Sequence, residues 1–231
     1  MEEPLVLLPG MMCDERLFSR QIAAISSKRR CIVPSLHGVN TMTGLAMQIL
    51  PEAPQRFALA GLSMGGLVAM EIIRIAPGRV TRLALMDTSP LADPPEMAAQ
   101  RERQLQKVRS GEMAEVMCNE IIPNYFGEGS SNVMIKELCL AMAKSLGPNI
   151  FASQACAIQT RPDQCTTLQS IKIPTLVLCG EADQLCPVAR HKLMHELIAN
   201  SRLVVLPMAG HLPTLEQPQQ TNEELKKWLE M

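Results

Sequence analysis

One short segment limits the fold of this 231-residue chain more than any other part. The apolar run Phe57–Leu62 leads into Ser63, and residues 61 to 65 read Gly-Leu-Ser-Met-Gly before an apolar stretch with helical spacing. A serine between two such glycines, placed between a strand and a helix, is typical of a tight turn that holds a nucleophile. Side chains at Gly61 and Gly65 would collide with neighbouring turns. The segment predicts Ser63 as a nucleophile, with the N–H of Met64 aimed at an oxyanion beside it.

Strand-like and helical runs alternate along most of the chain. Short runs that are apolar throughout, as expected for strands covered on both faces, are Leu5–Leu8, Cys31–Pro34, Phe57–Leu62, Leu83–Met86, Thr175–Cys179 and Leu203–Leu206. Caps, prolines and apolar spacing predict helices over Asp14–Ile25, Thr43–Leu50, Met64–Ile75, Val188–Ala199 and Glu223–Leu229. This alternation predicts an α/β protein with a parallel sheet between two layers of helices.

One stretch breaks the alternation. From Ser89 to about Lys172 no run is typical of a strand, whereas apolar residues recur at helical spacing, as at Met113, Met117 and Ile121. We interpret the stretch as a helical insertion between the fourth and fifth strands. Residues 1–88 and 173–231 would then form the core, and residues 89–172 the insertion.

A serine hydroxyl is a poor nucleophile without a base, and the chain has four histidines. His211 follows the last strand-like run in a loop, at the sheet edge where the carboxyl ends of parallel strands meet, so we expect it beside Ser63. His37 lies in the loop after the second strand. His191 and His195 stand one helical turn apart, and no neighbouring residues complete a metal site around them. They lie beside the charged Arg190 and Lys192 and away from the face of Leu193 and Leu197, so we expect both on a solvated helix face.

Three carboxylates are candidates to orient the base and stabilise its charged form. Glu181 and Asp183 follow the fifth strand, and Asp87 follows the fourth. Asp183 gives the chain order serine, aspartate, histidine. Asp183 is therefore the favoured acid, with Asp87 the next candidate.

A second oxyanion donor is expected from the loop after the first strand, which begins Pro9-Gly10-Met11-Met12. Gly10 lets the backbone approach a ligand closely. The N–H of Met11 would then lie beside that of Met64.

Charge and composition exclude several classes of protein. The 22 basic and 23 acidic residues give a net charge of −1, without the basic excess of a nucleic-acid-binding protein. The acidic N-terminal sequence does not fit a secretory signal, and no apolar stretch is long enough to span a membrane. The eight cysteines form no CxxC pair, so we expect reduced thiols in a cytoplasmic protein. Without a metal-ligand cluster or a phosphate-binding glycine loop, no metal or cofactor is expected.

Together these motifs resemble the α/β-hydrolase superfamily over almost the whole chain. Pro9-Gly10 corresponds to the oxyanion loop, Gly61–Gly66 to the nucleophile elbow, Gly180–Asp183 to the acid turn and Gly210-His211 to the histidine loop. The resemblance implies a doubly wound, mostly parallel sheet of about six strands, without the usual leading hairpin, and a lid over residues 89–172. The family commonly has His-Gly where this chain has Pro9-Gly10, so either Met11 or Met12 could be the second oxyanion donor.

Within the superfamily the chain is similar to small lidded esterases and lactonases, such as carboxylesterases, enol-lactonases and the methyl esterases acting on pimeloyl-carrier protein. The resemblance implies a serine hydrolase of small carboxylic esters, thioesters or lactones, with Ser63, Asp183 and His211 as a triad that forms an acyl-enzyme. C–C bond hydrolysis, perhydrolysis and a non-catalytic ligand receptor remain alternatives, because superfamily members share these motifs.

A basic run in the expected lid bears on possible partners. Residues 101 to 109 carry Arg101, Arg103, Lys107 and Arg109 against the single acidic residue Glu102. Such a face could dock an acidic acyl carrier protein, although most charge runs are simply solvated.

The chain is unusually rich in methionine, with 16 residues against six aromatic ones. Met11, Met12, Met64 and Met208 fall on or near the loops that should converge around Ser63. We expect Met12 and Met208 to bind substrate, in an acyl pocket lined by flexible thioethers that suits aliphatic chains.

Overall fold

The computed structural model describes residues 2–127 and 132–231. Its centre is one sheet of six parallel strands in the order β2-β1-β3-β4-β5-β6. The strands are β1 (Glu2–Leu8), β2 (Arg29–Ile32), β3 (Phe57–Leu62), β4 (Val80–Met86), β5 (Thr175–Gly180) and β6 (Ser201–Leu206). The prediction of a parallel α/β sheet of about six strands is confirmed. β2 ends earlier than expected, before Pro34, which has no N–H to donate to a neighbouring strand.

The central strand β3 is apolar and buried throughout because helices cover both faces of the sheet there, whereas the edge strands β2 and β6 each contain arginine and are mostly half-buried. Along β1, Leu5 and Leu7 belong to one buried cluster while Val6 and Leu8 belong to the other. Alternate side chains of one strand therefore build two separate core layers.

The helices of the first half are α1 (Ser19–Ile25), α2 (Met42–Ile49) and α3 (Met64–Ile75). Asp14 begins the first helical segment as expected, since its side chain accepts the N–H of Arg16, but the opening turn over Glu15–Phe18 is a 3-10 helix. Thr41 caps α2 by accepting the N–H of Gly44. Both starts follow the usual preference for a short oxygen-bearing side chain at the N-cap.

Between β4 and β5 the described residues form helices and turns but no strand. The helices are α4 (Pro95–Arg109), α5 (Met113–Val116), α6 (Val133–Leu146), α7 (Pro148–Gln159) and α8 (Cys165–Gln169), with a π turn and a 3-10 turn between α5 and α6. α8 packs against α3, and its Leu168 belongs to the same buried layer as that helix. Of the expected lid over residues 89–172, positions 128–131 lie outside the described residues.

The chain closes with α9 (Val188–Leu197), α10 (Pro213–Glu216) and α11 (Pro218–Leu229). α11 begins earlier than the predicted Glu223, because Pro218 fits a first helical turn, where its missing N–H costs nothing. In the part of the chain that the structure covers, no helix combines the length and apolarity needed to cross a membrane. The loops after β1, β3, β4, β5 and β6 all leave the same edge of the sheet, which is where an open parallel sheet builds its sites.

Candidate active site

Ser63 occupies the turn between β3 and α3 in a strained backbone conformation. Its φ is 55° and its ψ is −118°, a region that costs a non-glycine residue about 1–3 kcal/mol. The surroundings hold it there: the N–H of Ser63 donates to the carbonyl of Met86 at 2.9 Å, and the hydroxyl of Thr88 donates to the carbonyl of Ser63 at 2.8 Å. The end of the neighbouring strand β4 and the loop that follows it thus fix both sides of this turn.

The glycines around Ser63 are required by close backbone contacts. A Cβ at Gly61 would lie 2.3 Å from the carbonyl oxygen of Gly65, and a Cβ at Gly65 would lie 2.0 Å from that of Leu8. Since real Cβ atoms do not approach backbone so closely, neither position accepts a side chain. The predicted reason for these glycines is confirmed.

Ser63, His211 and Asp183 form an unbroken series of contacts. The Nε2 atom of His211 lies 2.8 Å from the Oγ of Ser63, and its Nδ1 lies 2.9 Å from the Oδ2 of Asp183. Facing a carboxylate, Nδ1 carries the ring proton and donates it, which leaves Nε2 to accept from the serine hydroxyl. The structure therefore brings together the three side chains that the sequence indicated.

The carboxylate of Asp183 is held in its ionised form. Burial alone would raise its pKa, but the charge and hydrogen bond of His211 and the N–H of Cys186 outweigh burial and lower the pKa to about 2. Its Oδ1 accepts the N–H groups of Leu185 at 2.9 Å and Cys186 at 3.0 Å. These donors also fix the rotation of the carboxylate toward the imidazole.

Two residues that sequence reasoning missed position the loop of His211. The N–H of His211 donates to the carbonyl of Tyr125 at 2.8 Å, and the two rings stack with centroids 5.6 Å apart. The carboxylate of Glu216 accepts the N–H groups of Gly210 and Leu212. Burial raises the pKa of Glu216, against the lowering effect of these hydrogen bonds. In the sequence, the role of Glu216 was indicated only by its place as an acidic residue in the first turn of a helix that begins at Pro213.

The other two candidate acids do not contact His211 in the described structure. Glu181 is exposed. Asp87 is fully buried; its Oδ1 accepts the N–H of Gly180 at 2.9 Å, and its Oδ2 has no partner among the described residues. Burial, followed by the nearby charge of Asp183, raises the pKa of Asp87 well above its usual value. Burial and the neighbouring charge thus favour the neutral form of Asp87, which is unsuited to stabilising an imidazolium.

The loop after β1 reaches Ser63. A Cβ at Gly10 would lie 3.4 Å from the Cβ of Ser63. The N–H of Met12 donates to the side-chain oxygen of Gln154 at 2.8 Å, so it is not free to bind an oxyanion. The N–H groups of Met11 and Met64, in contrast, have no acceptor within the part of the chain that is described. Of the two alternatives for the second donor, the geometry favours Met11.

The two methionines expected to bind substrate differ in their surroundings. Met12 is 1% exposed and packs into the core layer beneath the site. Met208 has a positive φ of 56° and is 79% exposed, which argues against its forming the wall of an enclosed pocket. The thioether-lined acyl pocket therefore stays a prediction.

The expectation for His191 is wrong. Its side chain is fully buried, like those of Met194 and Ile198, whereas Leu193 and Leu197 are only half-buried. Its Nε2 accepts the N–H of Thr88 at 3.1 Å, and burial lowers its pKa to about 4. His195 is exposed, as expected.

One group of side chains in the described structure could hold a metal ion. Ligand atoms of Asp183, Cys186 and His211 lie within 4.8 Å of one another. Since His211 and Asp183 already bond to each other, a metal there would displace the hydrogen bond that orients the imidazole.

Comparison with known proteins agrees with the fold. A family model described as "Alpha/beta hydrolase family" matches residues 5–224. A pimeloyl-[acyl-carrier protein] methyl ester esterase of Aeromonas hydrophila subsp. hydrophila is 25% identical over 240 residues, which span 97% of this chain and 94% of that protein.

Among solved structures, a thermophilic esterase from Thermogutta terrifontis, with malate bound, superimposes with a TM-score of 0.91 at 30% identity, over 100% of this chain and 90% of the other. The enol-lactonase from Burkholderia xenovorans LB400 has a TM-score of 0.86 at 24% identity, over 100% of this chain and 93% of its own. The second likeness bears on the fold alone.

Proposed function

Because the chain belongs to the alpha/beta hydrolase family, we propose that it hydrolyses small carboxylic esters, thioesters or lactones through a triad of Ser63, His211 and Asp183. One observation carries the proposal: the Oγ of Ser63 lies 2.8 Å from His211, which in turn lies 2.9 Å from Asp183. An activated serine needs this arrangement of nucleophile, base and orienting acid.

In the proposed reaction the Oγ of Ser63 attacks the ester carbonyl carbon while Nε2 of His211 takes its proton. The N–H groups of Met11 and Met64 bind the oxyanion that forms. The ionised Asp183 stabilises the imidazolium, which returns its proton to the leaving alcohol as the C–O bond breaks. Water, deprotonated by the same His211, then releases the acid from the acyl-enzyme.

We further propose that residues 89–172 act as a lid on this site. Two contacts support the idea, since both connect the segment to loops around Ser63. Tyr125 stacks on the ring of His211, and Gln154 accepts the N–H of Met12.

The variant Ser63→Ala tests the proposal with p-nitrophenyl butyrate. We expect kcat to fall by about 10³-fold or more, because no other group can replace the nucleophile. Ser27→Ala, the same change at an exposed position, is the control and should leave kcat unaltered. Undiminished hydrolysis by Ser63→Ala, or failure of a fluorophosphonate probe to label Ser63 in the unaltered protein, would contradict the mechanism.

A second candidate is a methyl esterase that acts on an ester bound to an acyl carrier protein. Relatives at 25% and 26% identity carry that name. Three of the four basic residues considered for docking are engaged in ion pairs: Arg101 with Asp93, Lys107 with Glu120 and Arg109 with Glu102. Arg103 is the fourth. If a carrier docks here, Arg103→Glu should lower kcat/KM on a carrier-bound methyl ester and leave hydrolysis of the free ester unchanged; equal effects on both would contradict docking.

A further inference from the structure

A single buried amide joins the segment between β4 and β5 to the loop after β1. Gln154 lies in α7 and is 1% exposed. Its Oε1 accepts the N–H of Met12 at 2.8 Å, and its Nε2 donates to the carbonyl of Leu36 at 2.7 Å. The orientation of the amide is unambiguous, because only its oxygen can face an N–H and only its nitrogen can face a carbonyl. One side chain thus connects α7 with the loops that follow β1 and β2.

The bond to Met12 restrains a turn with an uncommon backbone conformation. The N–H of Cys13 donates to the carbonyl of Gly10 at 3.2 Å, which closes a four-residue turn. Met12 is the third residue of that turn and has a φ of 55°, a position that normally favours glycine or asparagine. Without an acceptor for its N–H, the peptide between Met11 and Met12 could rotate and relieve this strain. Gln154 supplies that acceptor.

The restraint bears on the oxyanion site because Met11 adjoins the same peptide. The N–H of Met12 points at Gln154, so the neighbouring N–H of Met11 is the one left to act with that of Met64. The N–H of Met11 belongs to the preceding peptide, so rotation of the Met11–Met12 peptide would act on it by changing ψ of Met11 and loosening the Gly10–Cys13 turn that carries it. Oxyanion donors act by being aligned before the reaction begins.

We propose that Gln154 is a positioning residue, through which α7 holds the Met11–Met12 backbone in the orientation that presents the N–H of Met11 to the oxyanion. This role rests on the proposed hydrolase function. A cavity of about 400 Å³ lies beside the amide and is lined by Pro9, Leu36 and Gln154 among others. The position of α7 therefore acts on the oxyanion site through one amide.

The first test is Gln154→Met, which keeps the side-chain volume and removes both hydrogen bonds. We expect kcat on p-nitrophenyl butyrate to fall at least about tenfold, less than the 10²–10³-fold cost of losing an oxyanion donor outright. KM should change by less than about twofold, because the bound ester has no oxyanion. Affinity for a trifluoromethyl ketone, whose adduct with Ser63 carries an oxyanion, should fall by the same factor as kcat. Ser153→Ala, on the same helix with a hydroxyl bonded only to its own helix, is the control.

Because Gln154→Met can fail to fold, Gln154→Glu is the second variant. An ionised carboxylate would be repelled by the carbonyl of Leu36 and so be displaced from the N–H of Met12, whereas the protonated acid would satisfy both. The ratio of its kcat to that of the unaltered protein should therefore rise as the pH falls, which a merely structural role would not produce.

A loss of thermal stability in Gln154→Met with kcat and ketone affinity unchanged would overturn the role of Gln154. So would a pH-independent ratio for Gln154→Glu. If Ser63→Ala keeps its activity, the proposed function fails and this inference fails with it; if Ser63→Ala is inactive while both Gln154 variants are unimpaired, only the inference fails.

Discussion

Replacing Asp183 by asparagine should disable the base while leaving the site almost unchanged in shape. The N–H groups of Leu185 and Cys186 both point at the Oδ1 of Asp183, so the side-chain oxygen of the asparagine must face them. Its NH₂ group must then face Nδ1 of His211. The imidazole would accept there and carry its proton on Nε2, where it could no longer take the proton of Ser63.

The expected size of the effect follows from this wrong tautomer. In serine proteases the equivalent aspartate-to-asparagine change lowers kcat by about 10⁴-fold. We expect about 10³- to 10⁴-fold for Asp183→Asn, or roughly 4–5.5 kcal/mol of lost transition-state stabilisation. KM should be little changed, because Asp183 does not contact the substrate in the proposed reaction.

Asp87 provides a matched control. It lies close enough to Asp183 for the charge of that carboxylate to act on it, and burial together with that charge raises the pKa of Asp87 well above its usual value. The neutral form that these effects favour resembles an amide in shape and charge, and an asparagine can still accept the N–H of Gly180. Asp87→Asn should therefore keep kcat within about fivefold of the unaltered protein, since a neutral group adds no field at the imidazolium.

Both variants are assayed with p-nitrophenyl butyrate between pH 6 and 8, with thermal unfolding curves to show that each is folded. The reasoning is refuted if Asp87→Asn loses as much activity as Asp183→Asn. It is also refuted if folded Asp183→Asn retains more than a tenth of the original kcat.

Three further predictions concern the turn at Ser63, the buried histidine and the acyl pocket. Gly65→Ala should lower the free energy of unfolding by about 3 kcal/mol or more, because its Cβ would meet the carbonyl of Leu8 at 2.0 Å. Gly78→Ala is the control and should leave stability unchanged, because no atom lies within 4 Å of its Cβ. Equal melting temperatures of the two variants would contradict this prediction. Burial lowers the pKa of His191 to about 4 from 6.5. As the pH drops from about 6.5 to about 4, the imidazole is therefore protonated in the unfolded chain but not in the folded one. The free energy of unfolding should fall by up to about 3 kcal/mol over this range. His191→Gln, which can still accept the N–H of Thr88, should flatten that part of the urea-unfolding pH profile, and an unchanged slope would count against the assignment. Butyryl esters should be hydrolysed faster than benzoyl esters if flexible thioethers line the acyl pocket; a strong benzoyl preference would contradict it.

The features that the sequence predicted best depend on local constraints. The turn at Ser63 requires glycine at positions 61 and 65 because backbone atoms a few residues away, or on the adjacent strand, occupy the space of a side chain. Buried parallel strands are apolar on both faces, so their positions follow from short apolar runs. Because the strands run parallel, the loops that follow β3, β5 and β6 lie at one edge, so the sequence could predict that Ser63, Asp183 and His211 meet.

The features that the sequence missed depend on packing between distant segments. His191 was expected in solvent because its neighbours Arg190 and Lys192 are charged. Packing of α9 against the sheet, however, determines which of its side chains are buried. Only the packed structure shows that its acceptor nitrogen meets the N–H of Thr88.

The contacts that residues 89–172 make with the site also join segments that lie far apart in sequence. This segment was therefore the hardest to interpret. Tyr125 and Gln154 reach loops 86 and 142 residues away in sequence, counted from His211 and Met12. No local sequence motif indicates either contact. An aromatic ring or an amide on a helix usually has only a packing role, so its residue type does not reveal the contact. Yet each touches a group on which the proposed reaction depends: the ring of the base and the backbone beside the oxyanion donor. A segment that contacts both groups cannot move without disturbing them, so substitutions in it should change kcat as well as substrate choice.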